Sequence, residues 1–320
     1  MRYPNIDLLK GILIVLVIIG HILLGSTEQS LSRYIIYCFH IPLFIGISGY
    51  LFNYEKMGSL SVMGFIKKFL FRILLPWAIA VIVYKFIISF NTIIKTGDIG
   101  IVFLAFRLPY NHLWFIAAYF TWVLFTWIAA RLKTPLPVLL IIAAVFVFII
   151  YYLKKNPIWD TTQPQSALYS GLLFTIYRPH LYIYFVAGML LRSKNISLKP
   201  AIGLPITLVL FAAVLASYWL RFSYINWLLY AFNLSLLLLM AGVIQKSMLP
   251  RSKPLEWIGS NSMGVYLWHM VPLYYLSVYA TTMSTWLYYT ICIVASLIFG
   301  LFIYYLTKIR FINRYIFGMQ

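Results

Sequence analysis

Acidic residues are almost missing from this sequence, which has six Asp and Glu among 320 residues against 25 Lys and Arg. A soluble domain of this length covers its surface with far more charge than the 10% found here. Cysteine is equally scarce. Cys38 and Cys292 both sit inside apolar runs, so they read as small buried hydrophobes, with no disulfide framework and no thiolate metal site. The five histidines, at 21, 40, 112, 180 and 269, include no i, i+4 pair of the kind that grips zinc on a helix, and no metal centre is expected. There is no low-complexity tract, and no obvious internal repeat of the kind from which many transporters are built.

What is abundant is apolar surface. Hydrophobic residues make up 63% of the chain and the mean hydropathy is +0.91. Runs of near membrane length recur from one end to the other, and about 20 helical residues cross a hydrocarbon core. A β-barrel would need alternating apolar and polar residues, and runs such as Ile12 to Ile19 do not alternate. The expectation is an all-α, polytopic integral membrane protein of about ten spans, with 1–320 as a single transmembrane domain. The expected spans are 8–25, 33–53, 72–91, 112–130, 135–153, 180–191 (a short one), 201–220, 224–244, 261–281 and 284–306. The first run ends in Leu24-Gly25-Ser26-Thr27 without a small-x-small cleavage site, so a retained first span is expected rather than a signal peptide.

The net charge of +19 would suggest nucleic acid on a soluble protein. Here the cations sit mostly in short connections, so membrane topology and the lipid bilayer explain them and no nucleic-acid partner is expected. With the N-terminus inside, 17 of the 25 Lys and Arg fall on the inner side and eight on the outer. That asymmetry places both ends in the cytoplasm and the 92–111 and 154–179 connections outside.

Span 1 carries Asp7, Lys10 and His21. At 100° per residue Lys10 and His21 lie about 20° apart around the helix, and Asp7 and His21 about 40°, so all three share one side. Lys10 and His21 are about 16 Å apart along the axis. That puts a cation near the cytoplasmic surface and an imidazole deep in the bundle. Gly11 and Gly20 suit a close approach by another helix or a ligand. Ionisable groups at depth usually face a cavity or a partner. The plainer alternative is that Lys10 snorkels to the interface and His21 hydrogen-bonds a neighbouring helix.

Span 2 holds Phe39-His40-Ile41-Pro42-Leu43-Phe44 and then Ser48-Gly49-Tyr50. Pro42 removes a backbone donor and frees a carbonyl, so a kink is expected there, and a structural role is the favoured one. His112-Leu113-Trp114-Phe115 opens span 4 on the outer side, where aromatic anchoring is ordinary. Ile258-Gly259-Ser260-Asn261-Ser262 precedes Tyr266 and His269, which are i, i+3 neighbours. The connection Lys67-Lys68-Phe69-Leu70-Phe71-Arg72 before Pro76 offers three cations for anionic lipid or a phosphorylated ligand, or is simply a positive-inside flank.

Together these segments resemble the membrane acyltransferase-3 family. Its first-span signature is Arg, ten residues, then His, and Lys10 and His21 keep that spacing. The Phe39–Phe44 and Ser48-Gly49-Tyr50 segments, the basic stretch to Arg72 and Pro76, and His112-Leu113-Trp114-Phe115 are similar to family patterns. So are Tyr184-Phe185-Val186-Ala187-Gly188 and Ile258–Ser262 with Tyr266 and His269, all in the family's order. The resemblance implies about ten spans and transfer of an acyl group, usually acetyl, from cytoplasmic acyl-CoA. No cofactor would be held permanently. The acceptor would be a cell-envelope or exported glycan, often lipid-linked. Some members carry an extra esterase-like domain. None is expected here, so transfer would be completed within the spans or with a separate partner. Lys10 stands where most members have Arg, and lysine binds a phosphate as a point charge without the bidentate fork.

Acyl transfer needs a base for the hydroxyl and donors for the developing oxyanion. His21 is the candidate base, or else a nucleophile that carries the acyl group briefly. Asp7 would orient Lys10 through an i, i+3 pair. Lys10, Lys68 and Arg72 are candidates for the CoA phosphates. His112, Trp114 and His269 are candidates for the acceptor. The rival readings are a transporter or flippase for a polysaccharide or lipid-linked glycan intermediate, and a structural subunit of a glycan-export complex.

Overall fold

The computed structural model describes residues 4–106, 109–156, 170–220 and 225–319. Arg2, Arg107 and Arg221, which enter the charge count above, lie outside them, as do parts of the two outer connections and the first residue of the expected 224–244 span. Among the described residues there are helices and turns and no strand. Eight helical runs are long and apolar enough to cross a membrane: Asn5–Ile22, Leu31–Tyr50, Val62–Thr96, Trp114–Arg131, Leu136–Lys155, Pro200–Leu220, Trp227–Gln245 and Thr285–Leu306. Lipid-facing apolar surface is evident on the last of these, where Leu297, Ile298 and Leu301 are all more than 60% exposed. The chain is an all-α polytopic membrane protein.

The two other expected spans are present but differently built. Residues 180–191 become a short turn at Pro179–Leu181 and a helix of only 12 residues, Tyr182–Ser193. The 261–281 span is broken into Ser262–Trp268 and Met270–Ser277. The break follows from Pro272, which lacks the N–H that would reach the Trp268 carbonyl four residues back. The expected connection ahead of span 3 is also different. Lys67, Lys68 and Arg72 lie on a nearly continuous helical run, not in a loop. Pro76 cannot donate to Arg72, and the chain answers with a wider turn over Leu70–Leu74, where the Leu75 N–H reaches back five residues to Leu70.

The chain forms two compact units, Met1–Phe52 with Tyr184–Phe302, and Asn53–Ile183 with Ile303–Gln320. In the first unit, the Pro4–Ile22 helix runs without interruption and crosses the Lys253–Ser260 helix at two reciprocal glycines. A Cβ on Gly11 would overlap the Leu255 carbonyl, and one on Gly259 would overlap the Asp7 carbonyl. The backbones therefore touch, as small-residue crossings in membranes allow. Gly49 and Gly188 make a second close crossing against Phe185 and Gly46.

In the second unit, the short Tyr54–Gly58 helix lies along Trp114–Arg131, where a Cβ on Gly58 would come 2.9 Å from the Ala130 carbonyl. Tyr54 Oη donates to the Thr134 carbonyl at 2.7 Å, and Trp127 Nε1 and Arg131 Nη1 both donate to the Leu60 carbonyl at 3.2 Å.

Candidate functional site

Pro42 shapes the polar interior of the first unit. The second span is two helices, Leu31–Tyr37 and His40–Tyr50, parted at Cys38 and Phe39. Phe39 has left helical geometry, at φ −136° and ψ −28°. The break is where the sequence places it, because Pro42 has no N–H for the Cys38 carbonyl. That carbonyl is not wasted. Asn233, from the Ile225–Gln245 helix and 2% exposed, donates Nδ2 to it at 2.8 Å. The same Nδ2 also reaches Leu229 in its own helix.

His40 follows the break. It is 3% exposed, its Nδ1 is 2.6 Å from the Ile36 carbonyl, and its ring stands edge-on to Tyr37. Arg33, one turn before Tyr37, closes the end of the first helix. Its Nη1 donates to the Leu23 and Gly25 carbonyls at 3.1 and 2.5 Å, and its guanidinium lies 5.2 Å from the Tyr37 ring centre. Helix C-terminal carbonyls lack partners of their own, and a cation there both bonds them and complements the helix dipole. Gly20 lets the Tyr37 ring rest on the first helix, where a Cβ would meet it at 2.8 Å.

His21 stands at this end of the first helix and is half-buried. Its ring centre is 5.4 Å from that of His269, with the planes tilted by 41°. His269 sits at the break between the two short helices before Pro272. Its Nδ1 is 2.7 Å from the Tyr266 carbonyl. Arg33 and His40 are within electrostatic reach of His21. The structure thus brings His21 beside His269, a residue 248 positions away that the sequence offers as a candidate for the acceptor.

Asp7 and Lys10 lie at the other end of the same helix, both half-buried, beside the crossing with Lys253–Ser260. Because the helix is unbroken, the separation of about 16 Å between Lys10 and His21 stands. Glu256, in the first turn of the crossing helix, holds Arg251 through two bonds of 2.6 and 3.0 Å. The bond and charge of Glu256 raise the Arg251 guanidinium above its ordinary pKa.

The remaining residues belong to the second unit. Lys68 and Arg72 are within electrostatic reach of each other, with Lys56 nearby. His112 is 3% exposed, and its ring meets Tyr84 and Tyr110 edge-on, at 5.2 and 5.9 Å. Trp114 is half-buried with the Arg178 guanidinium 3.8 Å from its ring centre, and Trp77 Nε1 donates to Leu113 between them. Among the described residues, no group of three or more His, Cys, Asp or Glu is placed to hold a metal ion.

Arg33, Tyr37 and Asn233 were not singled out in the sequence. Asn233 left a readable sign, as a lone amide in the apolar run Leu228–Ala241.

The fold and this interior define a polytopic α-helical membrane protein with an imidazole pair inside one unit. A family model described as "Acyltransferase domain" matches residues 3–305, and the chain belongs to that family, the acyltransferase-3 family. It is also similar to the nodulation protein NolL of Mesorhizobium japonicum, 53% identical over 57 residues. That match covers 16% of this chain and 15% of NolL, so it spans a small part of either protein. No solved structure matches the chain.

Proposed function

We propose that the protein transfers an acyl group, acetyl in the first instance, from cytoplasmic acyl-CoA to a hydroxyl of an envelope or exported glycan. It would do so as a multi-pass protein of the plasma membrane with both termini cytoplasmic. The observation that carries this reading is the half-buried His21, held against His269 on a helix whose far end bears Lys10, in a chain of the acyltransferase-3 family. His21 is the base for the acceptor hydroxyl. Lys10, oriented by Asp7, is a point charge for CoA phosphate. Lys68 and Arg72 offer the same chemistry in their own unit. His112 is enclosed by tyrosine rings, which favours a supporting role behind Trp114 on the acceptor side.

Purified protein in detergent should bind acetyl-CoA in a salt-sensitive way, because phosphate contacts at an exposed mouth are screened. With an envelope glycan it should release free CoA. Changing His21 to Ala should abolish release while donor binding persists. Lys10→Ala should weaken donor binding, and Lys10→Arg should keep it. If the folded protein binds no acyl-CoA, and deleting it blocks glycan export without altering glycan acylation, the transport reading replaces this one.

A further inference from the structure

We infer that the Val62–Phe69 helix and the C-terminal Arg310–Tyr315 helix together form a membrane-surface site for anionic phospholipid, their apolar sides entering the leaflet and their cations holding headgroup phosphate. The leaflet is the inner one, on the reading of both termini as cytoplasmic. Lys67 and Arg310 carry no role in the transfer proposed above.

The run that carries Lys67 is too long for a span. Val62–Thr96 has 35 residues, about 52 Å of helix. The 22 residues of Leu75–Thr96 cross a hydrocarbon core of about 30 Å by themselves. Tilted by about 40°, the upper end of the usual range, the whole run still covers about 40 Å. Its opening turns therefore lie at headgroup level. The wide turn over Leu70–Leu74 and Pro76 mark the boundary, and these are features at which helices change direction. At 100° per residue the opening helix has three sides. Phe65 and Phe69 are buried, with the Phe65 ring stacked 4.7 Å from that of Trp127. Val62, Met63, Ile66 and Leu70 share an arc of about 100° and are between 38% and 58% exposed. Lys67 and Lys68 take the third side, with Lys67 about 40° beyond Met63. In water the apolar arc would be a bare patch. At the edge of a leaflet it meets acyl chains while the lysines reach phosphate.

The end of the chain brings a second segment of the same kind. Tyr315 meets Phe71 edge-on at 6.1 Å, and a Cβ on Gly318 would overlap the Arg72 carbonyl, so the last helix is packed on the wide turn. Ile309 and Phe311 are 49% and 65% exposed. Lys308 Nζ sits over the rings of Tyr304 and Tyr305, at 4.8 and 4.7 Å, as cations and aromatics do at a membrane boundary. Arg310 and Arg314 are exposed beside Phe311. Residues 53–76 and 303–320 together hold seven Lys and Arg against one carboxylate, Glu55. Arg72 and Lys56 are both within electrostatic reach of Lys68. Like charges gathered this way favour an anionic surface, where each cation contributes about fivefold to partition. A soluble phosphate has no use for the exposed apolar residues on both segments, whereas a phospholipid engages them and the cations at once.

The test is lipid binding by the full-length protein in detergent, read by native mass spectrometry with phosphatidylglycerol and phosphatidylcholine. The wild type should favour phosphatidylglycerol. Lys67→Gln and Arg310→Gln should each cut that preference by about fivefold and the double variant by about 25-fold, while Lys67→Arg keeps it. Both residues are exposed, so neither change disturbs packing. An undiminished preference in the double variant would overturn the inference. So would loss of bound phosphatidylglycerol to inorganic phosphate but not to chloride at equal ionic strength, which would mark a site for free phosphate. A nitroxide placed on Met63→Cys or Phe311→Cys, in vesicles of the two lipids, should be relaxed more by oxygen than by an aqueous nickel chelate. The native thiols, Cys38 and Cys292, are buried, so the label reports the new one. Stronger relaxation by the chelate would put the segments in water and overturn the inference as well. If a cysteine at Ser252 labels from outside while the dependence on Lys67 and Arg310 persists, the orientation falls and the lipid site stands.

Discussion

Pro42 and Asn233 should be energetically coupled, although one lies in the second span and the other in the Ile225–Gln245 helix. Pro42 denies the Cys38 carbonyl its helical donor, and Asn233 Nδ2 supplies one at 2.8 Å. Replacing Asn233 with Leu, which is close in size, leaves that buried carbonyl without its amide. An unsatisfied buried acceptor costs about 1–3 kcal/mol in water-soluble proteins. Side-chain bonds measured in membranes are weaker, averaging about 0.6 kcal/mol with a maximum of about 1.7. The membrane scale is the relevant one, so Asn233→Leu should cost about 1–2 kcal/mol, taking the upper range because Asn233 is 2% exposed. In a Pro42→Ala background residue 42 regains its N–H and the helix can close on Cys38 by itself. There Asn233→Leu should cost less by about 1 kcal/mol. The assay is reversible SDS or thermal unfolding of the four proteins of the cycle in one detergent. Costs that add to within about 0.3–0.5 kcal/mol, the scatter of independent sites, would refute the reasoning.

The reciprocal glycines give a second prediction: Gly259→Ala should destabilise by about 1–3 kcal/mol, the cost of overpacking, because its Cβ lands on the Asp7 carbonyl. Gly300→Ala is the control, since among the described residues nothing beyond its own stretch of helix lies within 4 Å of its Cβ and alanine is the better helix former, so unfolding should be unchanged or slightly later. A third concerns orientation: a cysteine at Asn156 should react with an impermeant thiol reagent from outside and one at Ser252 should not, and the reverse pattern would sink the cytoplasmic assignment of the termini and the donor side with it.

Long apolar runs made the helices legible, because a span of membrane length leaves little choice of structure. The break in the second span was also legible, since proline's missing donor is a property of one residue. The same physics acts at Pro272, yet that span reads as continuous in hydropathy, which registers polarity and not backbone donors. The stretch from Lys67 to Arg72 reads as a connection because it is charged, whereas three cations on a helical run need only point away from the lipid core. For the site, periodicity placed Asp7, Lys10 and His21 on one side of a helix. It could not name what faces them. The contact between His21 and His269 depends on how distant helices pack, and helical period carries no information on that. Asn233 escaped attention for another reason: it does not titrate, and its importance comes from a proline in a different helix.

The crossing of the first helix has a mechanical consequence. Gly11 is seated on the Leu255 carbonyl at one end, and Gly20 is seated under the Tyr37 ring at the other. Between these seats the helix cannot slide or turn without driving its backbone into the Leu255 backbone or the Tyr37 ring. It acts as a ruler fixed at both marks, with Lys10 beside the first and His21 beside the second. Adding one residue between them would swing everything beyond it through about 100° and advance it by about 1.5 Å. His21 would leave His269, and Gly20 would leave Tyr37, in the same stroke. The ten residues between the cation and the imidazole are therefore a dimension of the packed scaffold, and any sequence that keeps this crossing must keep that count.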